Sequence, residues 1–272
     1  MTRSMYGRKT NARMIPVYLL CGFVLLFMIF PIFIVIPISF SSSLYLEFPP
    51  KGFSFQWYRK FFNSYEWTSS LFISIQVAVA TTILATVFGT LASFSLVRGR
   101  FRGKEALYPF LLSPMVIPII IFAIACYFFF SKLHLIGTKI GLIGAHTILA
   151  IPFVIINVSA TLKGFDINLE KAAMNLGAHP IQAFLRVTFP LIRPGIIAGA
   201  LFAFITSFDE IVIAMFISGT SAVTLPKRML EGIRTEINPT ISAVSTIEIV
   251  AVIIILISVG FVSKDRNRKI RR

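Results

Sequence analysis

Apolar residues in this chain fill whole stretches rather than recurring at the spacing of one helix face. Runs near the ~20 residues needed to cross a bilayer occupy Ile15–Phe40, Ser69–Val97, Ala106–Phe130, Leu142–Leu162, Gly195–Ile217 and Ile241–Val262. The pattern predicts an all-α membrane protein with about six transmembrane helices, and an even number puts both termini on one side. The first run follows a basic segment, residues 1–14. It is longer than the ~7–15-residue apolar core of a signal peptide and has no small-residue cleavage site, so it is expected to stay as the first helix.

Interruptions in the pattern carry further expectations. Pro114 and Pro118 fall near the middle of the third run. Each removes a backbone donor and clashes with the preceding turn, which predicts a kink or break. Gly195 and Gly199 in "GIIAG" fit close helix packing. Between the first two runs, "FSFQWYRKFF" alternates aromatic and polar residues and is expected to lie at the membrane surface, with Trp57 and Tyr58 at headgroup level. Between the last two, Leu225, Met229, Leu230 and Ile233 predict a short helix. With no internal repeat, residues 15–263 are expected to form one membrane domain between the basic N-terminus and a basic tail, residues 264–272.

Composition agrees with this class. Of 272 residues 56% are hydrophobic and 14% charged, with mean hydropathy +0.85, against about 25% charged in a soluble domain. The net charge of +15 would point to nucleic acid in a soluble chain, but its distribution argues otherwise. Eighteen of the 26 Lys and Arg residues lie at the termini or in the loops on the same side as the termini; these include Arg98, Arg100, Arg102 and Lys104 in one loop and Lys163, Lys171, Arg186 and Arg193 in another. Eight lie in the opposite loops. The asymmetry predicts cytoplasmic termini and a tail read by lipid headgroups, with no nucleic-acid partner. Cys21 and Cys126 sit inside apolar runs and read as small hydrophobes. His134, His146 and His179 share no metal-ligand spacing.

One stretch between the fourth and fifth runs differs from both neighbours: "LEKAAMNLGAHPIQAFLRVTFP", Leu169 to Pro190. Asp166 or Asn168 can cap a helix there while Glu170 complements its positive end. Leu169, Ala172, Ala173 and Leu176 fall on one face. Gly177 suits a left-handed helix stop, and Pro180 opens a second short helix bearing Phe184, Leu185 and Thr188, which Pro190 is expected to end. The result is a compact two-helix knob. Its alanines allow close approach by another protein.

This stretch resembles the "EAA" loop of integral-membrane subunits of ATP-binding-cassette importers, with Lys171-Ala172-Ala173, then Gly177, then Val187-Thr188-Phe189-Pro190 in register. The chain departs from the family at one position: Lys171 occupies the glutamate site and Glu170 precedes it. Together with "FSFQWYRKFF", "SFDEIVIAMFISG" and "TLPKRMLEGIRTEINPTISAVSTIE", the loop makes most of the chain similar to permease subunits of the spermidine/putrescine type. The resemblance implies a multi-pass protein of the bacterial cytoplasmic (inner) membrane with a cytoplasmic coupling loop at residues 164–194. Glu170, Lys171, Ala172, Ala173, Leu176 and Gly177 would meet the ATPase. It also implies a second permease subunit in a heterodimer, an ATPase dimer that binds ATP and Mg, and a periplasmic solute-binding protein. The chain itself has no G-x-x-x-x-G-K-[ST] phosphate loop and is expected to bind no cofactor and catalyse no reaction.

Asp209 and Glu210 fall within the fifth run and Glu248 within the sixth. A charge at the centre of a membrane helix costs about 2.5–3.5 kcal/mol, so each should face protein or water. With about 1.5 Å rise per residue, Asp209 would lie about 12 Å and Glu248 about 10 Å from the outer ends of their helices. Beside Phe208 and Ser207, such a layer suits a cationic amine through ion pairing and cation–π contact. The same acids could instead bind the second permease. A self-sufficient secondary transporter is a rival class but would normally show paired broken helices. An amino acid derivative or iron complex is the rival substrate.

Overall fold

A computed structural model describes the chain over residues 14–235 and 238–270; the side chains of Ile15, Leu256 and residues 258–270 lie outside that description. The basic residues Arg3, Arg8, Lys9 and Arg13 and the charged side chains of the tail therefore lie outside the described residues. The chain divides into two compact units, the larger built on Ser64–Glu231 and the smaller combining the N-terminal segment up to Asn63 with Gly232–Val262.

In the smaller unit, α1 (Ile15–Ser39) starts with proline in its first turn and is apolar and exposed along most of its length, as a helix surrounded by lipid should be. Short helix α2 (Gln56–Asn63) follows. Trp57 packs inward against the protein. It is 4% exposed, and its Nε1 donates to Ser41 O at 2.8 Å, while the Tyr58 hydroxyl pairs with Ser39 Oγ at 2.7 Å. A buried indole N–H needs an acceptor, and the turn after α1 supplies one.

The larger unit is built on α3 (Tyr65–Arg98), α6 (Lys139–Lys163) and α9 (Phe189–Phe208), which pack on one another. Small residues set their spacing. A Cβ on Gly199 would lie 2.9 Å from Val154 Cα, one on Gly89 would lie 2.7 Å from Val154 Cβ, and one on Gly195 would clash with Thr161. The "GIIAG" glycines thus do pack closely. Ser93 Oγ donates to Gly89 O at 2.7 Å and reaches Ile155 O on α6 at 3.3 Å, so a hydroxyl in an apolar layer is satisfied across the interface.

The third run breaks at its prolines. Helix α4 (Lys104–Leu112) passes through a 3-10 turn, Ser113–Met115, into α5 (Ile119–Lys132), and the two halves bend by 99°. After α6 come α7 (Ile167–Asn175) and α8 (Pro180–Ala183), then a π-turn at Phe184–Thr188 that leads directly into α9. Here Pro190 does not stop the helix: Pro180–Phe208 runs as one 29-residue span. Proline is tolerated in a first helical turn, and the π-turn restarts the hydrogen-bond register just before it.

The fifth run also differs from expectation. α9 ends at Phe208, and a separate short helix, α10 (Val212–Ile217), packs against α5. The predicted short helix appears as α11 (Leu225–Thr235), and α12 covers Thr240–Ile270. Among the described residues, four helices are long and apolar enough to cross a membrane, or five if the bent pair counts as one; Thr240–Ile255 adds a shorter apolar helix.

Candidate functional site

Apart from Glu248, the candidate residues fall in two places, both in the larger unit. The first is the loop between α6 and α9. Asp166 accepts the Asn168 amide at 2.9 Å and caps α7. The other end of α7 closes as predicted: Gly177 has φ +92, its N–H donates to Met174 O at 3.0 Å, and the Ala178 N–H donates to Ala173 O at 3.1 Å. This paired closure satisfies carbonyls that the helix end would otherwise leave open. No heavy atom lies within 4 Å of a Cβ built on Gly177, so its backbone angle, not crowding, calls for glycine.

The two ends of that loop face differently. Lys171, Ala172 and Gly177 are exposed, Ala173 is half-buried and Leu176 is 90% exposed. Glu170 instead turns inward. Its Oε2 lies 2.8 Å from Arg98 Nη1 at the end of α3, and it also accepts the Thr188 hydroxyl from the π-turn. The Arg98 guanidinium lies 5.3 Å from the ring centres of both Phe94 and Phe165. Phe184 of the π-turn packs edge-on against Phe94 at 5.5 Å. A charge-assisted pair, a hydroxyl and three aromatic rings thus tie α7, α3 and the π-turn together. Arg98 and Thr188 are not legible as partners of Glu170 in the sequence, where Arg98 counts among the loop charges that set topology and Thr188 is one position of the second short helix.

The second place is the interruption between α9 and α10. Sequence reading set Asp209 and Glu210 inside a continuous span, but they occupy its break. The Asp209 N–H makes the last helical bond, to Ile205 O at 3.0 Å. Glu210 Oε1 then accepts the amides of Val212 at 2.8 Å and Ile213 at 3.0 Å. A side-chain acceptor thereby replaces the carbonyls that would have continued the helix, and α10 starts anew. Asp209 is exposed and Glu210 half-buried. Phe208, the last residue of α9, stacks on Phe204 with ring centres 5.7 Å apart.

Ser207, just before the break, is buried and pairs with His146 Nδ1 of α6 at 3.0 Å. His146 is itself 1% exposed, and its Nε2 has no partner among the described residues. Nothing in the sequence pattern of either helix links His146 to Ser207. Glu248 is half-buried on α12 and belongs to the smaller unit. No group of three or more His, Cys, Asp or Glu among the described residues could hold a metal ion.

Known proteins resemble the chain along most of its length. Residues 85–272 match the family described as binding-protein-dependent transport system inner membrane component. The putrescine transport system permease protein PotI of Escherichia coli (strain K12) is 35% identical over 271 residues, covering 94% of each chain. The spermidine/putrescine transport system permease protein PotC of Haemophilus influenzae is 31% identical over 240 residues, covering 87% of this chain and 92% of its own. Among solved structures, a chain of a bacterial ABC transporter that imports the acidic polysaccharide alginate matches with TM-score 0.67 at 18% identity, covering 96% of this chain and 99% of that one. A chain of the methionine ABC transporter MetNI matches with TM-score 0.58 at 20% identity, covering 75% and 96%. The permease fold that these structures share and the extent of the sequence match lead to one conclusion: the chain belongs to the family of binding-protein-dependent transport system inner membrane components, as a membrane permease.

Proposed function

We propose that this chain forms half of the translocation pathway of an ATP-driven importer for a small cationic solute, a polyamine of the putrescine or spermidine class. The observation that carries the reading is the likeness, along nearly the whole chain, to permeases named for those amines. Residues 15–263 act as one permease domain in the bacterial inner membrane, with both termini cytoplasmic, as the Lys and Arg asymmetry favours. A second permease subunit completes the pathway and a periplasmic binding protein delivers the solute. ATP and Mg are bound by a separate pair of ATPase subunits, and this chain binds no cofactor of its own.

The loop is the coupling element. Lys171, Ala172, Ala173, Leu176 and Gly177 form the face that meets the ATPase, and the small side chains let that partner approach the backbone. Glu170 supports the face from behind through Arg98 and Thr188. Along the pathway, an ammonium ion leaving water needs counter-charge, hydrogen-bond acceptors and aromatic faces. The break after α9 offers Asp209 and Glu210 beside Phe208 and Ser207; Glu248, in the smaller unit, is a further candidate acid for an ammonium ion.

Reconstitution tests the reading. The chain, its partner permease, the ATPase and the binding protein, assembled in proteoliposomes, should accumulate labelled putrescine or spermidine only with ATP and the binding protein present. ATP-driven accumulation of an amino acid derivative or an iron complex, with none of either amine, would overturn the substrate. Accumulation without the ATPase would overturn the importer.

A further inference from the structure

A cavity of about 520 Å³ opens where α3 ends, α4 begins and α6 ends. Ser159 lines it, is 3% exposed, and its hydroxyl has no hydrogen-bond partner among the described residues. A hydroxyl buried in this way is costly unless something bonds to it. Two ammonium groups share the cavity. Lys163 Nζ lies over the Tyr108 ring at 5.9 Å. Lys104 Nζ donates to Val97 O at 3.3 Å and Gly99 O at 3.0 Å, and its third N–H remains to be placed.

A second cavity of about 510 Å³ adjoins the first, sharing Lys104 and Glu105 and adding Arg100 and Gly103. Gly103 stands at the N-cap of α4 with φ 84 and no side-chain cap, so the positive end of a nine-residue helix faces the same region. Three basic side chains and a helix N-terminus stand against one acid, Glu105, and apolar groups of α3 line the wall. All of this lies at the ends of helices long and apolar enough to cross a membrane, where lipid headgroups come within reach of basic side chains.

We propose that this cavity holds a phosphate-bearing anion, with the Ser159 hydroxyl and the Lys163 and Lys104 ammonium groups donating to its oxygens. The chemistry is that of an anionic phospholipid headgroup or of a soluble phosphate. An anion accounts for both the unpartnered hydroxyl and the excess of cations; water would account only for the first. The proposal rests on the membrane location of the chain and is independent of which solute is imported.

The assembled transporter, purified in mild detergent, provides the test. Native mass spectrometry should show phosphatidylglycerol retained over phosphatidylcholine. Lys163→Gln should weaken that retention about fivefold, the effect expected of one basic residue near a membrane surface. Ser159→Ala should weaken it while keeping the packing, and Arg193→Gln should leave it unchanged. Competition by inorganic phosphate or glycerol 3-phosphate, lost in the same variants, would assign the site to a soluble phosphate; retention of the lipid despite both would assign it to the headgroup. Equal retention of the two lipids together with no binding of either phosphate, or binding that ignores Lys163 and Ser159, overturns the proposal. The uptake assay need not succeed for any of these outcomes to be read.

Discussion

Glu170 Oε2 lies 2.8 Å from Arg98 Nη1, joining the loop between α6 and α9 to the end of α3 across 72 positions of sequence, and the two side chains are only 16% and 24% exposed. A pair this sheltered is worth more than a surface ion pair, and loss of one partner leaves the other charge uncompensated. Glu170→Ala and Arg98→Ala should each lower ATP-driven uptake about tenfold or more. Their effects on thermal stability should be non-additive by about 0.5–3 kcal/mol. Exchanging the charges, Glu170→Arg with Arg98→Glu, should restore part of the activity. If Glu170 acted only through the ATPase, Arg98→Ala would be silent and the exchange would restore nothing.

Gly177 separates backbone angle from crowding. Because its surroundings are open and its φ is +92, any L-residue there incurs about 1–2 kcal/mol in the left-handed region, with asparagine least affected. Gly177→Asn should retain most uptake and ATPase copurification, while Gly177→Val should lose both at normal membrane levels. Equal behaviour of the two variants would remove the left-handed turn as the cause.

Orientation is tested by single cysteines. In a background of Cys21→Ser and Cys126→Ser, Thr220→Cys should react with an impermeant thiol reagent added outside the cell. Leu176→Cys, at a side chain 90% exposed, should react only after the membrane is opened. Labelling of Leu176→Cys from outside would reverse the topology and remove the docking face from the ATPase side.

Asp209 and Glu210 should separate in their effects. Asp209 is exposed, so Asp209→Asn removes charge with little structural change and should lower amine uptake about tenfold while the heterodimer assembles. Glu210→Gln keeps an acceptor for the Val212 and Ile213 amides, whereas Glu210→Ala loses the cap, worth about 0.5–2 kcal/mol. Glu210→Ala should therefore lower thermal stability more than Glu210→Gln. Loss of the partner permease in an Asp209→Asn pull-down would instead assign Asp209 to the subunit interface.

Local chemistry was legible from the chain alone. The apolar runs, the break at Pro114 and Pro118, the Asp166 cap and the Gly177 stop each depend on a few neighbouring residues, and each follows from backbone geometry or bilayer thickness. Only the tertiary structure decided which side chains meet. His146 pairs with Ser207, Glu170 with Arg98 and Thr188, and Glu210 ends a span that the apolar pattern carries through. The physical reason lies in the solvent. In water an apolar stripe marks the face a helix turns inward, but lipid is as apolar as a protein core, so the pattern leaves each helix free to rotate about its axis. Val77 is buried and Val79 is exposed on the same helix; nothing in their chemistry distinguishes them, and packing against α5, α6 and α10 makes the choice.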